Sequence, residues 1–135
     1  MSTRYKVLVA EDEVKIREIL VDFLTDYYEV IEAKDGEEAL RLFHSQQIDL
    51  VLLDLMMPGR DGFSVLKEIR SVSKVPVMIL TARSSVEDQV KGYDLKVDDY
   101  VTKPFDNKVL VAKINRLLAR VNEEDEVETY ELAFD

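Results

Sequence analysis

A doubly wound α/β fold, a parallel sheet with helices on both faces, is what this sequence predicts. Two observations carry the prediction. Short apolar runs alternate along the chain with segments whose apolar residues recur at helical spacing. The run Ile48–Leu53 is also nearly continuous in apolar residues, as in a parallel strand buried on both faces. Repeated strand–helix alternation implies right-handed βαβ crossovers.

The strand candidates are Tyr5–Ala10, Tyr28–Ala33, Ile48–Leu53, Val75–Leu80 and the weaker Asp99–Thr102. Between and after them lie five helical stripes. Ile16, Ile19, Leu20, Phe23 and Leu24 form the first, and Ala39, Leu40 and Phe43 the second. Val65, Leu66 and Ile69 form the third, and Val86, Val90 and Tyr93 the fourth. Leu110, Ile114, Leu117, Leu118 and Val121 close the series. Asn122–Glu128 reads as a solvated linker. Tyr130, Leu132 and Phe134 then alternate with a period of 2, so the end is either a frayed acidic tail or the first strand of a second domain. The expected organisation is one domain over 1–121, followed by this segment at 122–135.

Composition narrows the function classes. The 135 residues suit one domain, and 47% hydrophobic content supplies a core. Without cysteine there is no disulfide scaffold, thiolate zinc site or cysteine nucleophile. No apolar run approaches membrane-spanning length, and the start lacks a signal-peptide pattern, so a cytoplasmic location with no membrane partner is expected. Of the net charge of −10, seven uncompensated acids fall in 122–135, leaving 21 acids against 18 bases elsewhere. No part has the basic excess of a phosphate-backbone binder.

In open parallel sheets, ligands bind beyond the carboxyl ends of the strands. At those ends stand Glu11 and Asp12 after the first run, Asp54 after the third, Thr81 after the fourth and Lys103-Pro104 past the fifth. Three carboxylates in one crevice repel, so one protonates or a cation binds. An oxygen-only donor set with no His or Cys suits Mg²⁺. A carboxylate can also act as a nucleophile toward phosphorus, with Lys103 as a point charge and the Thr81 hydroxyl as a donor. Each residue alone has an ordinary explanation, such as acids favouring a helix start. The combination at four strand ends does not.

The pieces VLVAEDE (7–13), LVLLDLMMPGRDG (50–62), PVMILTAR (76–83) and DDYVTKPF (98–105) resemble a two-component response-regulator receiver domain, over essentially all of 5–121. The resemblance implies a (βα)5 flavodoxin-like fold of three α/β/α layers with strand order 2-1-3-4-5. It makes Asp54 the phosphoacceptor, served by a partner histidine kinase. Asp12 and Asp54 would ligate Mg²⁺ with the Met56 backbone carbonyl, and Glu11 would act mainly through water. Thr81 and Tyr100 would be the switch pair, Tyr100 moving inward on phosphorylation. Lys103 would be the active-site lysine, with a cis bond to Pro104. Met56 and Arg83 would flank the path of attacking water. The domain would be no enzyme beyond its own phosphorylation and dephosphorylation. Pro58-Gly59 and Asp61-Gly62 read as turn dipeptides, and His44 as a solvated side chain.

VKIREILVDFL, the DDYVTKPF block and the long last helix resemble the OmpR/PhoB branch, in which a receiver controls a winged-helix DNA-binding domain. That branch implies a homodimer through the fourth helix, fifth strand and fifth helix. Gln89 and Val109 replace one usual ion pair, and Leu95 faces Lys113, which leaves Asp99 with Arg120. Lys96 stands where a glycine often ends the fourth helix. DNA would be reached only through a domain absent from this chain; the alternative is a stand-alone regulator acting by protein contacts. A flavodoxin-like cofactor binder is disfavoured because Glu11-Asp12-Glu13 would repel a phosphate. A phosphatase is disfavoured because Met56 stands where a second Asp would be usual.

Overall fold

The computed structural model describes residues 4–134, with side chains through Val121. The elements are β1 (Lys6–Ala10), α1 (Val14–Leu24), β2 (Glu29–Ala33), α2 (Gly36–Ser45), β3 (Leu50–Leu53), α3 (Gly62–Val72), β4 (Val77–Thr81), α4 (Val86–Asp94), β5 (Asp99–Thr102) and α5 (Asn107–Phe134). The strands form one parallel sheet in the order β2-β1-β3-β4-β5. The expected doubly wound topology is therefore present. Two units are distinguished, Met1–Phe105 with the whole sheet, and Asp106–Asp135 with α5.

Side-chain alternation divides the sheet's apolar residues between two faces. Leu8, Val51, Leu53, Val77 and Ile79 join Ala39, Leu40, Val65, Leu66 and Ile69 of α2 and α3 in one buried cluster. Val7, Val9, Leu50, Leu52, Met78 and Leu80 are equally buried but point the other way, toward the layer of α1, whose Leu20 and Leu24 are buried. Register aligns the strand ends. Ala10 pairs with both Ala33 and Leu53, so Glu11 and Asp54 leave neighbouring strands at the same height.

Helix starts follow local chemistry. Asp35, Asp61 and Ser85 cap α2, α3 and α4 by accepting the N–H groups of Glu38, Ser64 and Asp88. Asp61-Gly62 is thus a helix start and not a turn dipeptide; the turn is made at Gly59, where φ is 74°. β4 begins at Val77 because Pro76, without an N–H, cannot donate to the ladder, and it extends to include Thr81.

Three expectations are corrected. Val86, Val90 and Tyr93 do form a stripe on α4, but all three are exposed. The buried residue of α4 is Gly92, whose missing Cβ lets the helix backbone approach Ile79, Val97 and Tyr100. Ile19 of the first stripe is also exposed. The strand expected over Tyr130–Phe134, and the linker before it, are not adopted, because α5 continues through Phe134. No Gly or Pro interrupts the chain after Asp106, and a period of 2 over five residues also places Tyr130 and Phe134 at the helical i, i+4 spacing. Within α5, Leu110, Ile114, Leu117 and Leu118 are buried, as their stripe predicts.

The missing glycine at position 96 has a structural counterpart. Lys96 has φ 68°, and its N–H bonds to the Tyr93 carbonyl while the Val97 N–H bonds to that of Gly92. These are the two bonds of a Schellman end, with the buried Val97 supplying the apolar contact. A side chain in this left-handed region costs about 1 kcal/mol. Lys96→Gly is therefore expected to raise stability by about 0.5–1 kcal/mol in urea unfolding; a loss would show that the lysine makes compensating contacts.

Candidate functional site

All five strand-end residues lie in the first unit. Asp54 follows β3 directly, its N–H bonded to the Ala10 carbonyl and its side chain 5% exposed. Asp54 Oδ1 accepts the Met56 N–H at 3.0 Å, and Oδ2 accepts Lys103 Nζ at 2.9 Å. Glu11 is buried more deeply, at 2% exposed. Its Oε1 also accepts Lys103 Nζ at 2.5 Å, and Oε2 takes the Glu13 N–H at 3.1 Å. Lys103 thus bridges two buried carboxylates from different strand ends. Its preceding strand delivers it there, the Lys103 N–H being tied to the Thr81 carbonyl, and the Lys103–Pro104 bond is cis.

Asp12 is half-buried, and one oxygen from each of Glu11, Asp12 and Asp54 lies within 4.8 Å of the others. That spacing fits a single cation. Oxygen ligands at ~2.0–2.1 Å sit no more than about 4.2 Å apart across an octahedral Mg²⁺, so small adjustments suffice. The donor set contains no nitrogen or sulfur, which favours a hard ion.

Electrostatics distinguish the acids. Burial pushes Glu11 up to about 7; the Lys103 hydrogen bond opposes this, while the Asp54 charge reinforces it. Lys103 is itself raised, because its bonds to the two carboxylates outweigh its own burial, so it remains an ammonium at neutral pH. Glu11 ordinarily titrates near 4.5, so between that value and about 7 the folded chain binds more protons at this site than the unfolded one. Stability from this group is consequently greatest below the unfolded value and falls as pH rises through the window. In EDTA, thermal unfolding is expected to show a loss on the order of 2–3 kcal/mol between pH 5 and 8. Glu11→Gln should flatten that slope; an unchanged slope would move its origin elsewhere.

Thr81 is fully buried, with its Oγ1 3.4 Å from the Arg83 N–H. The Tyr100 side chain is largely buried, with its hydroxyl donating to the Arg83 carbonyl at 2.6 Å. Burial raises the phenol's pKa, so it stays a donor.

Two further residues shape the site: Gly62, read from the sequence as part of a turn dipeptide, and Arg17, which the sequence did not single out. Gly62 begins α3 hard against the acceptor: a Cβ there would lie 2.4 Å from the Asp54 carbonyl oxygen and 2.7 Å from Leu55 Cα. Arg17 donates to the Glu11 carbonyl at 2.7 Å and pairs with Glu32 at 3.4 Å. A glycine directly after an N-cap residue is a visible signal for the first; nothing in the pattern announces the second. His44 pairs with Glu68 at 3.1 Å, which also holds Arg60, so it belongs to a surface network rather than to solvent alone. Asp99 lies in β5, Lys113 and Arg120 in α5.

The family described as the response regulator receiver domain matches residues 7–115. A Guillardia theta protein named "Probable transcriptional regulator ycf27" is 49% identical over 123 residues, 90% of this chain and 48% of its own length. Response regulator RR06 of Streptococcus pneumoniae is 48% identical over 115 residues, 84% of this chain and 53% of its own. The chain therefore spans about half the length of the curated relatives it matches. Among solved structures, the Francisella response regulator 1452 receiver domain superposes with a TM-score of 0.82 at 38% identity, covering 87% of this chain and 98% of that one.

Proposed function

Because the chain belongs to the response-regulator receiver family, we propose that Asp54 is the residue through which it is switched. The supporting observation is the setting of its carboxylate: buried, held by the Met56 N–H on one oxygen and Lys103 Nζ on the other, beside Glu11 and Asp12. One carboxylate oxygen attacks the phosphorus of a kinase phosphohistidine or of acetyl phosphate. A P–O bond forms, the bond to the donor breaks, and the donor's imidazole or acetate leaves with the electron pair. Lys103 balances charge on the new phosphoryl oxygens, and the Thr81 hydroxyl donates to one of them. Glu11, Asp12, Asp54 and the Met56 carbonyl would hold Mg²⁺. When bound, Mg²⁺ neutralises the charge of the incoming group.

The consequence is a population shift. Thr81 drawn toward the phosphoryl group stabilises the inward Tyr100 and the surface around it. The chain acts on no substrate other than its own acceptor. Relatives named as transcriptional regulators support a DNA-binding output located outside this chain. Asp99, Lys113 and Arg120 would contribute to a homodimer, with Gln89, Leu95 and Val109 supplying no matching charges. Among the described residues no helix is long and apolar enough to cross a membrane, which is compatible with a cytoplasmic partner kinase.

Incubation with acetyl phosphate and Mg²⁺, read by intact mass, tests the acceptor. Wild type is expected to gain one phosphoryl group and Asp54→Ala none. Equal labelling of the two would remove Asp54 from the role.

A further inference from the structure

The turn between β1 and α1 is gripped by an arginine that the acceptor chemistry does not use. Asp35, Asp61 and Ser85 cap the next three helices through their side chains, whereas Glu13, at the same position before α1, makes no such bond. Arg17, one turn into α1, reaches back over this start instead. Its Nη1 donates to the Glu11 carbonyl at 2.7 Å, and its Nε lies 3.4 Å from Glu32 Oε1 on β2. The side chain is only 17% exposed. The Glu11 N–H is bonded to the carbonyl of Ala33, the residue after Glu32, so the exit of β1 is tied to β2 on both sides of Glu11.

The three carboxylates of the cation site are not equally secured. Asp54 is held by the Met56 N–H and Lys103, and Glu11 by Lys103 and the Glu13 N–H. Among the described residues, the Asp12 carboxylate takes part in no hydrogen bond or ion pair. Its place is set by the backbone. The carbonyl that Arg17 grips belongs to the planar peptide joining Glu11 to Asp12, and the orientation of that plane fixes where the Asp12 side chain leaves the chain. We infer that Arg17 is a positioning residue of the cation site: its guanidinium, braced by Glu32, holds the Glu11–Asp12 peptide and thereby the direction in which Asp12 offers its carboxylate to Mg²⁺. The inference rests on the reading of Glu11, Asp12 and Asp54 as the Mg²⁺ site.

Charge alone would act in the opposite sense. A guanidinium near a divalent cation repels it, so removing that charge without changing the geometry tightens binding. Loss of a positioning contact weakens it. Arginine suits the positioning task, because its planar fork holds a carbonyl from Nη1 and a carboxylate from Nε at once, and Glu32 offsets its charge. Loss of an outer partner that orients a metal ligand weakens binding by about tenfold to a hundredfold. Arg17 acts on the ligand's peptide and not on its carboxylate, which places its effect toward the lower end.

Wild type, Arg17→Met, Arg17→Lys and Asp12→Asn are titrated with MgCl₂, and backbone amide shifts are followed by heteronuclear NMR. Arg17→Met is expected to raise the Mg²⁺ dissociation constant at least about fivefold. Arg17→Lys, whose ammonium can still donate to the Glu11 carbonyl, should bind Mg²⁺ more tightly than Arg17→Met. Urea unfolding in EDTA reads stability separately, since a merely structural role lowers the unfolding free energy and leaves the constant of the folded chain unchanged. Arg17→Gln, too short to reach the carbonyl, carries the same test should the methionine variant not fold. A rise below about fivefold, a tighter constant, or equal weakening in Arg17→Lys overturns the inference. Absence of saturable shifts in wild type, or wild-type binding by Asp12→Asn, instead defeats the Mg²⁺ site and this inference with it.

Discussion

Gly62→Ala is expected to slow phosphoryl labelling of Asp54 by at least about tenfold and to destabilise the fold by about 1–3 kcal/mol. The added methyl would meet the Asp54 carbonyl oxygen at 2.4 Å and Leu55 Cα at 2.7 Å. Both are backbone atoms, so the clash is relieved only by moving α3 or the end of β3. Either movement displaces the acceptor relative to Lys103, whose ammonium is 2.9 Å from Asp54 Oδ2. Gly36→Ala is the matching control. Its methyl would lie 2.5 Å from the Arg60 carbonyl oxygen, a clash of similar severity whose nearest neighbours are Arg60 and Val65 rather than Asp54. It should lower stability comparably while labelling of the folded fraction stays near wild type. Equal labelling by Gly62→Ala and wild type would mean that the β3 end accommodates the methyl without shifting the carboxylate.

Arg70→Met should lower the unfolding free energy by about 3–5 kcal/mol, measured by urea titration. The Arg70 guanidinium donates to the carbonyls of Val75 at 2.6 Å and Lys96 at 2.8 Å, and to Asp98 Oδ2 at 2.8 Å. It thereby ties the end of α3 to the entry of β4 and to the turn before β5. Asp98 Oδ2 also accepts the Val77 N–H, so the same oxygen starts β4. Methionine keeps the apolar stem but leaves a half-buried carboxylate without its cation and two carbonyls without donors. Asp98→Asn in the Arg70→Met background should recover part of the loss by removing the negative charge that Arg70 had offset. A cost below about 1 kcal/mol for Arg70→Met would show that water replaces the clamp.

Much of the site is legible in the chain before folding. Asp54 and Thr81 are found where their strands end because a buried parallel strand is a short apolar run that polar residues close, while Lys103 follows the weaker run Asp99–Thr102. Glu11 is the instructive exception in degree. As an acid before a helix it reads as a dipole partner, yet it is the most buried carboxylate of the three and shares Lys103 with Asp54. Nothing local distinguishes it from Asp12, which is more exposed. The difference arises because Lys103, 92 positions away, reaches one and not the other. The Arg83 guanidinium forks onto Asp88 only five residues away, but the Phe63 ring it lies against arrives from a different helix.

The amino-acid pattern by itself determined the succession of strands and helices, the identity of the oxygen-rich strand ends and the separate acidity of the last fourteen residues. These are properties of spacing and charge, which neighbouring residues carry without reference to the rest of the chain. Tertiary structure alone decided that the apolar stripe of α4 faces solvent while Gly92 faces the sheet, and that the Tyr100 ring is buried. Periodicity defines a stripe but not its direction. Direction is set by which side other elements cover, and that depends on contacts between residues far apart in sequence.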